Sequence, residues 1–216
     1  MAYQLPNGST FDFASGYTPF FTITAISRAT DAVVTAPGHT FSVGQIVMIR
    51  SGWWDLDGRA FSVSAKTTTT FTLKGADTTD TERNPSGSTL GDVRGVTTWQ
   101  RIPQILSINL TGGTTQYTTF SPSGSGKDVS MPTTKSAATM EISVADDPSQ
   151  TFFKTVETAS RTNLPQVQRL NLINGSYLLY CTMTELSKTP VVVQNEIMTR
   201  TIYLALQGDS TRVGGA

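Results

Sequence analysis

The chain has 216 residues, of which 38% are hydrophobic and only 15% charged, against about a quarter charged in an ordinary globular domain. Its 16 basic residues balance 16 acidic ones, which argues against a protein built to grip duplex nucleic acid, because phosphate neutralisation needs a basic excess. The single cysteine, Cys181, excludes an intrachain disulfide, and no window approaches the ~18 apolar residues of a membrane-spanning helix.

Met1 to Gly8 carries neither a basic nor an apolar region of the signal-peptide kind, so no leader is expected. From Ile23 to about Val93 the elements are short. Strands are predicted at Val33–Ala36, Gln45–Arg50, Phe61–Ser64 and Thr70–Lys74, separated by turns at Pro37-Gly38, Val43-Gly44, Ser51-Gly52, Asp57-Gly58 and Lys74-Gly75. Close, regular turn spacing predicts a small β-barrel. Residues 76–91, rich in Thr, Asp, Ser, Asn and Gly, read as an exposed loop.

A second unit is predicted from residues 1–22 and 94–216, with 23–93 inserted between them. Ile102–Leu110 alternates, with Leu106, Ile108 and Leu110 opposite Ser107 and Asn109. Thr139–Val144 does the same, with Met140, Ile142 and Val144 opposite Thr139, Glu141 and Ser143. Period two with one polar face predicts half-buried strands. One helix is predicted at about Pro148–Arg161, capped by Asp147 and ended by Asn163 and Pro165. Phe152, Phe153, Val156 and Ala159 form its packing stripe. Leu170–Ile173, Asn174-Gly175 and Tyr177–Met183 predict a hairpin with a type I′ turn, and Ile197–Leu206 a closing strand. The fold class is therefore mainly β (α+β): a strand-rich body with one flanking helix, plus a small β-barrel.

Between two of these strands lies Thr111–Lys135, too long and too polar for an ordinary connector. Tyr117, Phe120 and Met131 have no local core to enter, so docking on a neighbouring subunit is expected of them.

Catalytic chemistry is poorly represented. The lone histidine, His39, sits in a Pro-Gly-His turn, and neither a triad nor a zinc site can be assembled around it. Gly124-Ser125-Gly126-Lys127 lacks the upstream Gly of a phosphate loop, and Asp128 stands where Ser or Thr is required. Asp55, Asp57, Asp77 and Asp80 lack the spacing of a calcium loop. Asn7, Asn109 and Asn174 match the glycosylation pattern but read as turn and strand residues. Trp53 and Trp54 beside Asp55 suggest a sugar-stacking platform, the blander reading being one Trp in the barrel core and one at its rim. No catalytic residue, metal or cofactor is expected.

The body resembles the major tail tube proteins of lambda-like siphophages. The likeness is carried by an ordered series: Val96 to Ile105 as a first long strand opening with a Trp, Leu110 to Tyr117 descending into a long loop, and Lys135 to Val144 as the re-entrant strand. Asp146 to Thr158 follows as the helix, Arg169 to Gly175 as strand and Asn-Gly turn, and Lys188 to Leu206 as the closing strand. The resemblance implies a β-sandwich with a flanking helix, a non-enzymatic virion protein, and stacked hexameric rings forming the conduit for DNA ejection. It implies an inter-ring loop carrying Thr111, Gly112, Gly113, Tyr117, Phe120, Lys127, Met131 and Lys135. It further implies a lumen, for which the polar faces offer Ser107, Asn109, Thr139, Glu141, Ser143, Thr199 and Thr201. The implied partners are other copies of the chain, a tape measure protein in the lumen, terminator and baseplate or distal tail proteins at the ends, and DNA in transit. Assembly would occur in the host cytoplasm. Ala32 to His39, Val43 to Ile49 and Leu56 to Val63 resemble a small β-barrel module of phage virion proteins, similar to the first catalytic-cysteine half-domain of ubiquitin-activating enzymes. Fold likeness of that kind carries no activity. A second functional expectation is a virion-surface module holding host carbohydrate on Trp53 and Trp54.

Overall fold

The computed structural model describes residues 8–124 and 126–214; Asn7, Ser125 and the leader reading fall outside the described residues. The strands are β1 (Thr10–Tyr17), β2 (Phe21–Thr22), β3 (Ala25–Ile26), β4 (Val33–Thr35), β5 (Ile46–Arg50), β6 (Arg59–Lys66), β7 (Thr70–Leu73) and the long β8 (Asp92–Ile102). Then come β9 (Ile105–Thr111), β10 (Thr115–Phe120), β11 (Val129–Lys135), β12 (Thr139–Ala145), α1 (Phe152–Thr162), β13 (Gln166–Asn171), β14 (Tyr177–Leu186), β15 (Thr199–Leu206) and β16 (Thr211–Val213). The fold is mainly β, with one helix among the described residues.

One path of paired strands runs β3-β4-β7-β6-β5-β8-β1-β13-β14-β15-β12-β9. β8 is its joint. Its first half pairs with β5 and β2, and its second half pairs with β1. The boundary expected near residue 93 therefore falls inside a continuous strand. At the other end Ile102 closes β8, and Pro103-Gln104 breaks the single strand expected over Ile102–Leu110. Proline offers no N–H to a ladder, and Gln104 takes a positive φ of 58°.

The segment 21–26 closes the small barrel. Phe21 pairs with Val93 on β8, while Ala25 and Ile26 pair with β4, so the two free edges of the sheet meet on one short stretch. Inside, Phe41 meets Phe21 and Phe71 edge-on and stacks with His39. Edge-to-face packing suits the ring quadrupoles. The loop over 76–91 is more tightly held than a solvated connector: Thr78 and Asn84 are buried, and Thr78 hydrogen-bonds the carbonyls of Ser27 and Ala29.

The body is covered on both faces. On one side α1 lays Phe152, Val156 and Ala159 onto Phe11, Phe13, Ile142, Ile202 and Leu204, with Phe153 partly buried beside them. On the other side Val167, Leu179 and Cys181 pack against Ile46, Met48 and Ala60 of the small barrel. Burial pushes the Cys181 thiol up to about 12, which leaves it an inert packing group. The helix starts at Phe152, later than expected, because Asp147 is engaged one turn earlier. Its carboxylate accepts from the Ser149 amide and hydroxyl and from Gln150. Asn163 ends the helix in the left-handed region, as its composition predicts. The Asn174-Gly175 turn is not type I′: only Gly175 of the pair has a positive φ (79°), and Asn174 Oδ1 instead accepts from the Ser176 amide and hydroxyl.

At the centre Asp12 of β1 is almost wholly buried between its two neighbouring strands. It accepts from Arg169 Nη2 at 2.8 Å, Asn171 Nδ2 at 2.6 Å and Arg101 Nε at 3.3 Å. Burial alone would raise its carboxyl, but these donors outweigh that and hold it below the ordinary 3.8. A depressed folded-state value means that Asp12 contributes stability above the ordinary carboxylate range and loses it as pH falls below that range. In urea unfolding followed by circular dichroism, Asp12→Ala should cost about 3 kcal/mol at pH 7, because Arg169 loses its counter-charge. That penalty should shrink as pH is lowered below 4.

Candidate functional site

No polar cluster of catalytic geometry occurs among the described residues. His39 is buried in the barrel: Phe41 N–H donates to Nδ1, so Nε2 carries the proton and donates to the Thr70 carbonyl. Asp55 binds Arg83 and Asn84, Asp57 accepts the Ser51 amide, Asp77 caps Thr79, and Asp80 accepts from Glu82 and Arg83. What stands out instead is surface left unpartnered.

The first such surface is a polar face. Antiparallel register sets Ser107 opposite Ser143, Asn109 opposite Glu141 and Thr111 opposite Thr139, then Ser143 opposite Thr201 and the Thr139–Ala145 run opposite Thr199–Ala205. Directly paired residues share a face, so Ser107, Asn109, Thr139, Glu141, Ser143, Thr199 and Thr201 come together on one side of β9, β12 and β15. Tyr203 and Glu185 join them across β15 and β14. Tyr203 was visible in the alternation of its strand, whereas Glu185 needed the cross-strand register. No Lys or Arg stands among these nine residues.

The second is the edge strand β9. On its other face Leu106, Ile108 and Leu110 are exposed, Leu110 by 59%. They continue the apolar face of Met140 and Ile142 beyond the reach of α1. A bulge at Ser143/Val144 sets Leu106 out of register.

The third is an arm. The segment expected as a loop is a two-stranded hairpin, β10 with β11, every residue of which is exposed. The alternation of Thr and Ser with Tyr117, Phe120, Val129 and Met131 carried that signal; the Gly- and Ser-rich tip obscured it. Phe120 pairs with Val129 and Thr118 with Met131, so three apolar groups share one face and Tyr117 lies on the other. Lys127 is at the exposed tip and Lys135 pairs with Thr115 at the base. The base is rigidly set. Gly112 and Gly113 both have positive φ, and a Cβ on Gly112 would fall 1.9 Å from the Ala137 carbonyl oxygen. Thr111 Oγ1 donates to the Thr139 carbonyl, and the Gly113 amide to Ser136.

A fourth surface is apolar and has no signature in the alternation of its strand. Residues 191–198 form a loop exposing Val191, Val192, Val193, Ile197 and Met198, and the strand predicted from Ile197 begins at Thr199.

The paired tryptophans do not form a platform. Trp53 is 5% exposed and belongs to the barrel core, whereas Trp54 is 71% exposed. Trp53 is drawn inward because the turn Trp53–Asp57 folds back through the Leu56 and Asp57 amides to the Trp53 carbonyl. Trp53 is therefore unavailable to a sugar ring.

The family described as "Phage tail tube protein, TTP" matches residues 51–215. Among solved structures, the chain is similar to a component of the anti-feeding prophage baseplate, with 10% identity, a TM-score of 0.41 and coverage of 55% of this chain and 86% of that one. It is similar to the sheath/tube terminator of an extracellular contractile injection system at 16% identity and a TM-score of 0.39, covering 53% and 88%. The tube-terminating cap of the anti-feeding prophage aligns at 18% identity and a TM-score of 0.37, covering 54% and 83%. No curated protein matches the chain.

The opposite burial of the two tryptophans is testable by thermal and urea unfolding. Trp53→Ala should cost about 3–5 kcal/mol through the cavity it leaves, and Trp54→Ala less than about 0.5 kcal/mol.

Proposed function

The chain belongs to the phage tail tube protein family, and from that premise we propose that it is the major tube subunit of a lambda-like siphophage, stacking as hexameric rings that form the conduit for DNA ejection. A structural tail role, and not catalysis, follows from the family itself. The observation that carries the finer reading is the arm. An isolated two-stranded hairpin is marginal in water, and this one projects with its apolar residues uncovered. Such an arm is complete only against another copy, and we assign that copy to the next ring.

Within a ring, the exposed edge of β9 and its row of Leu106, Ile108 and Leu110 supply the contact between neighbours. An unpaired edge invites strand addition, and a heterologous contact that closes by rotation makes a ring with no edge left over. The polar face of β9, β12 and β15 then lines the lumen. Small hydroxyl and amide groups with Glu141 and Glu185 keep water between wall and phosphate. Bidentate Arg–phosphate bonds, which would brake the DNA, are missing from that face. A tape measure protein occupies the lumen before DNA does, and terminator and baseplate or distal tail proteins close the ends. Assembly takes place in the host cytoplasm.

Residues 23–93 are, in this reading, a module inserted into the tube fold of residues 1–22 and 94–216. Register puts its contact residues Leu179 and Cys181 on the same face of β14 as Met183 and Glu185. We place it on the outside of the wall, because the lumen must stay open.

Deletion of residues 112–134 tests the proposal. The shortened subunit should keep the unfolding temperature of the parent, and electron microscopy should show no tubes where the parent polymerises. Tubes of normal length formed by the deleted chain would overturn it.

A further inference from the structure

Under α1 lies a cleft of about 540 Å³ between the helix and β1, and its charge is one-sided. Its lining includes the Arg94 guanidinium and the Lys154 ammonium and no carboxylate. Arg94 is only 6% exposed, makes no ion pair among the described residues, and has a buried Nε without an acceptor there. Its one hydrogen bond among the described residues runs from Nη2 to the Pro165 carbonyl. Its Cζ lies 3.8 Å from the Tyr17 ring centroid and 4.9 Å from that of Phe20, which orients the fork without neutralising it. Other buried or half-buried arginines of the body, Arg169 and Arg200, each have an aspartate. A buried guanidinium with no counter-ion is costly, so its retention needs a reason.

Two further observations bear on the same cleft. α1 begins without a side-chain cap or an acidic residue in its first turn, which leaves its positive end uncompensated. The hydroxyls of Thr151 and Thr155, also in the lining, bond no protein acceptor. Donors of three kinds thus face one space that holds no anionic side chain among the described residues.

We propose that this cleft is an oxyanion site, in which Arg94 takes a phosphate or carboxylate group and Lys154 supplies a second positive charge from the helix wall. Planar fork geometry favours such groups over a spherical ion such as chloride. The site is read in a single subunit, and only the assay that separates the sources of its group rests on the tube assignment.

The probe is inorganic phosphate, titrated into the full chain carrying ¹⁵N-labelled arginine, with chloride at matched ionic strength as control. The Arg94 Nε–H resonance, assigned by its loss in Arg94→Met, should move saturably with phosphate and stay still with chloride. Lys154→Ala, an exposed change that leaves the core intact, should weaken the binding severalfold. A static Arg94 resonance, or phosphate affinity unchanged in Lys154→Ala, would overturn the site. Two sources of the group separate in a polymerisation assay on the same protein. Slower assembly in phosphate identifies a carboxylate of the next copy as the resident group; unchanged assembly identifies a free oxyanion, and either outcome upholds the site.

Discussion

β8 carries two sheets at once, and the rest of the molecule depends on that sharing. Its first residues complete the small barrel through β5 and β2; its last residues begin the body through β1. A strand cannot bend freely between two partners, because each ladder fixes its neighbours' direction. The barrel and the body are therefore held in one orientation by hydrogen bonds, and the apolar contact of Ile46, Met48 and Ala60 with Val167, Leu179 and Cys181 fills the angle between them. A glycine on β8 serves this junction: a Cβ on Gly95 would press on Phe41 and on Gln45.

From that frame follows an uneven distribution of satisfied and unsatisfied surface. The small barrel consumes its own edges on the segment 21–26. The body buries one face under α1 and part of the other under the barrel. What remains open is β9, the polar face beside it, the apolar loop over 191–198 and the arm. β9 stands at the opposite end of the strand path from β3 and β4 of the barrel, while the base of the arm comes back beside Trp54 and Asp57. A subunit with one finished end and one unfinished end is suited to polymerise, and the Asp12 cluster, with Arg101, Arg169 and Asn171, pins the strands between those ends.

Much of this was legible in the residues. Period-two alternation marked the strands β9 and β12, and it put Ser107 with Asn109, and Glu141 with Ser143, each on the polar side of its own strand. The stripe of Phe152, Val156 and Ala159 marked the helix face, and turn spacing marked the short strands β4 to β7. Each of these rests on neighbours in sequence, where backbone geometry alone decides which side chains point together.

Other features depended on residues distant in the chain, and only the tertiary structure decided them. Trp53 and Trp54 are adjacent and chemically identical, yet one lies in a core and the other in solvent. The arm's polar composition read as a loop, but cross-strand pairing made it a hairpin. Arg94 became a buried, unpaired cation only because Tyr17, Phe20 and Pro165 converge on it from other elements. By itself the sequence determined the alternation, the breaks and the helix face, because those are properties of a few consecutive residues. Which faces were covered and which were left open was decided by the order in which distant strands pair, and no local pattern encodes that order.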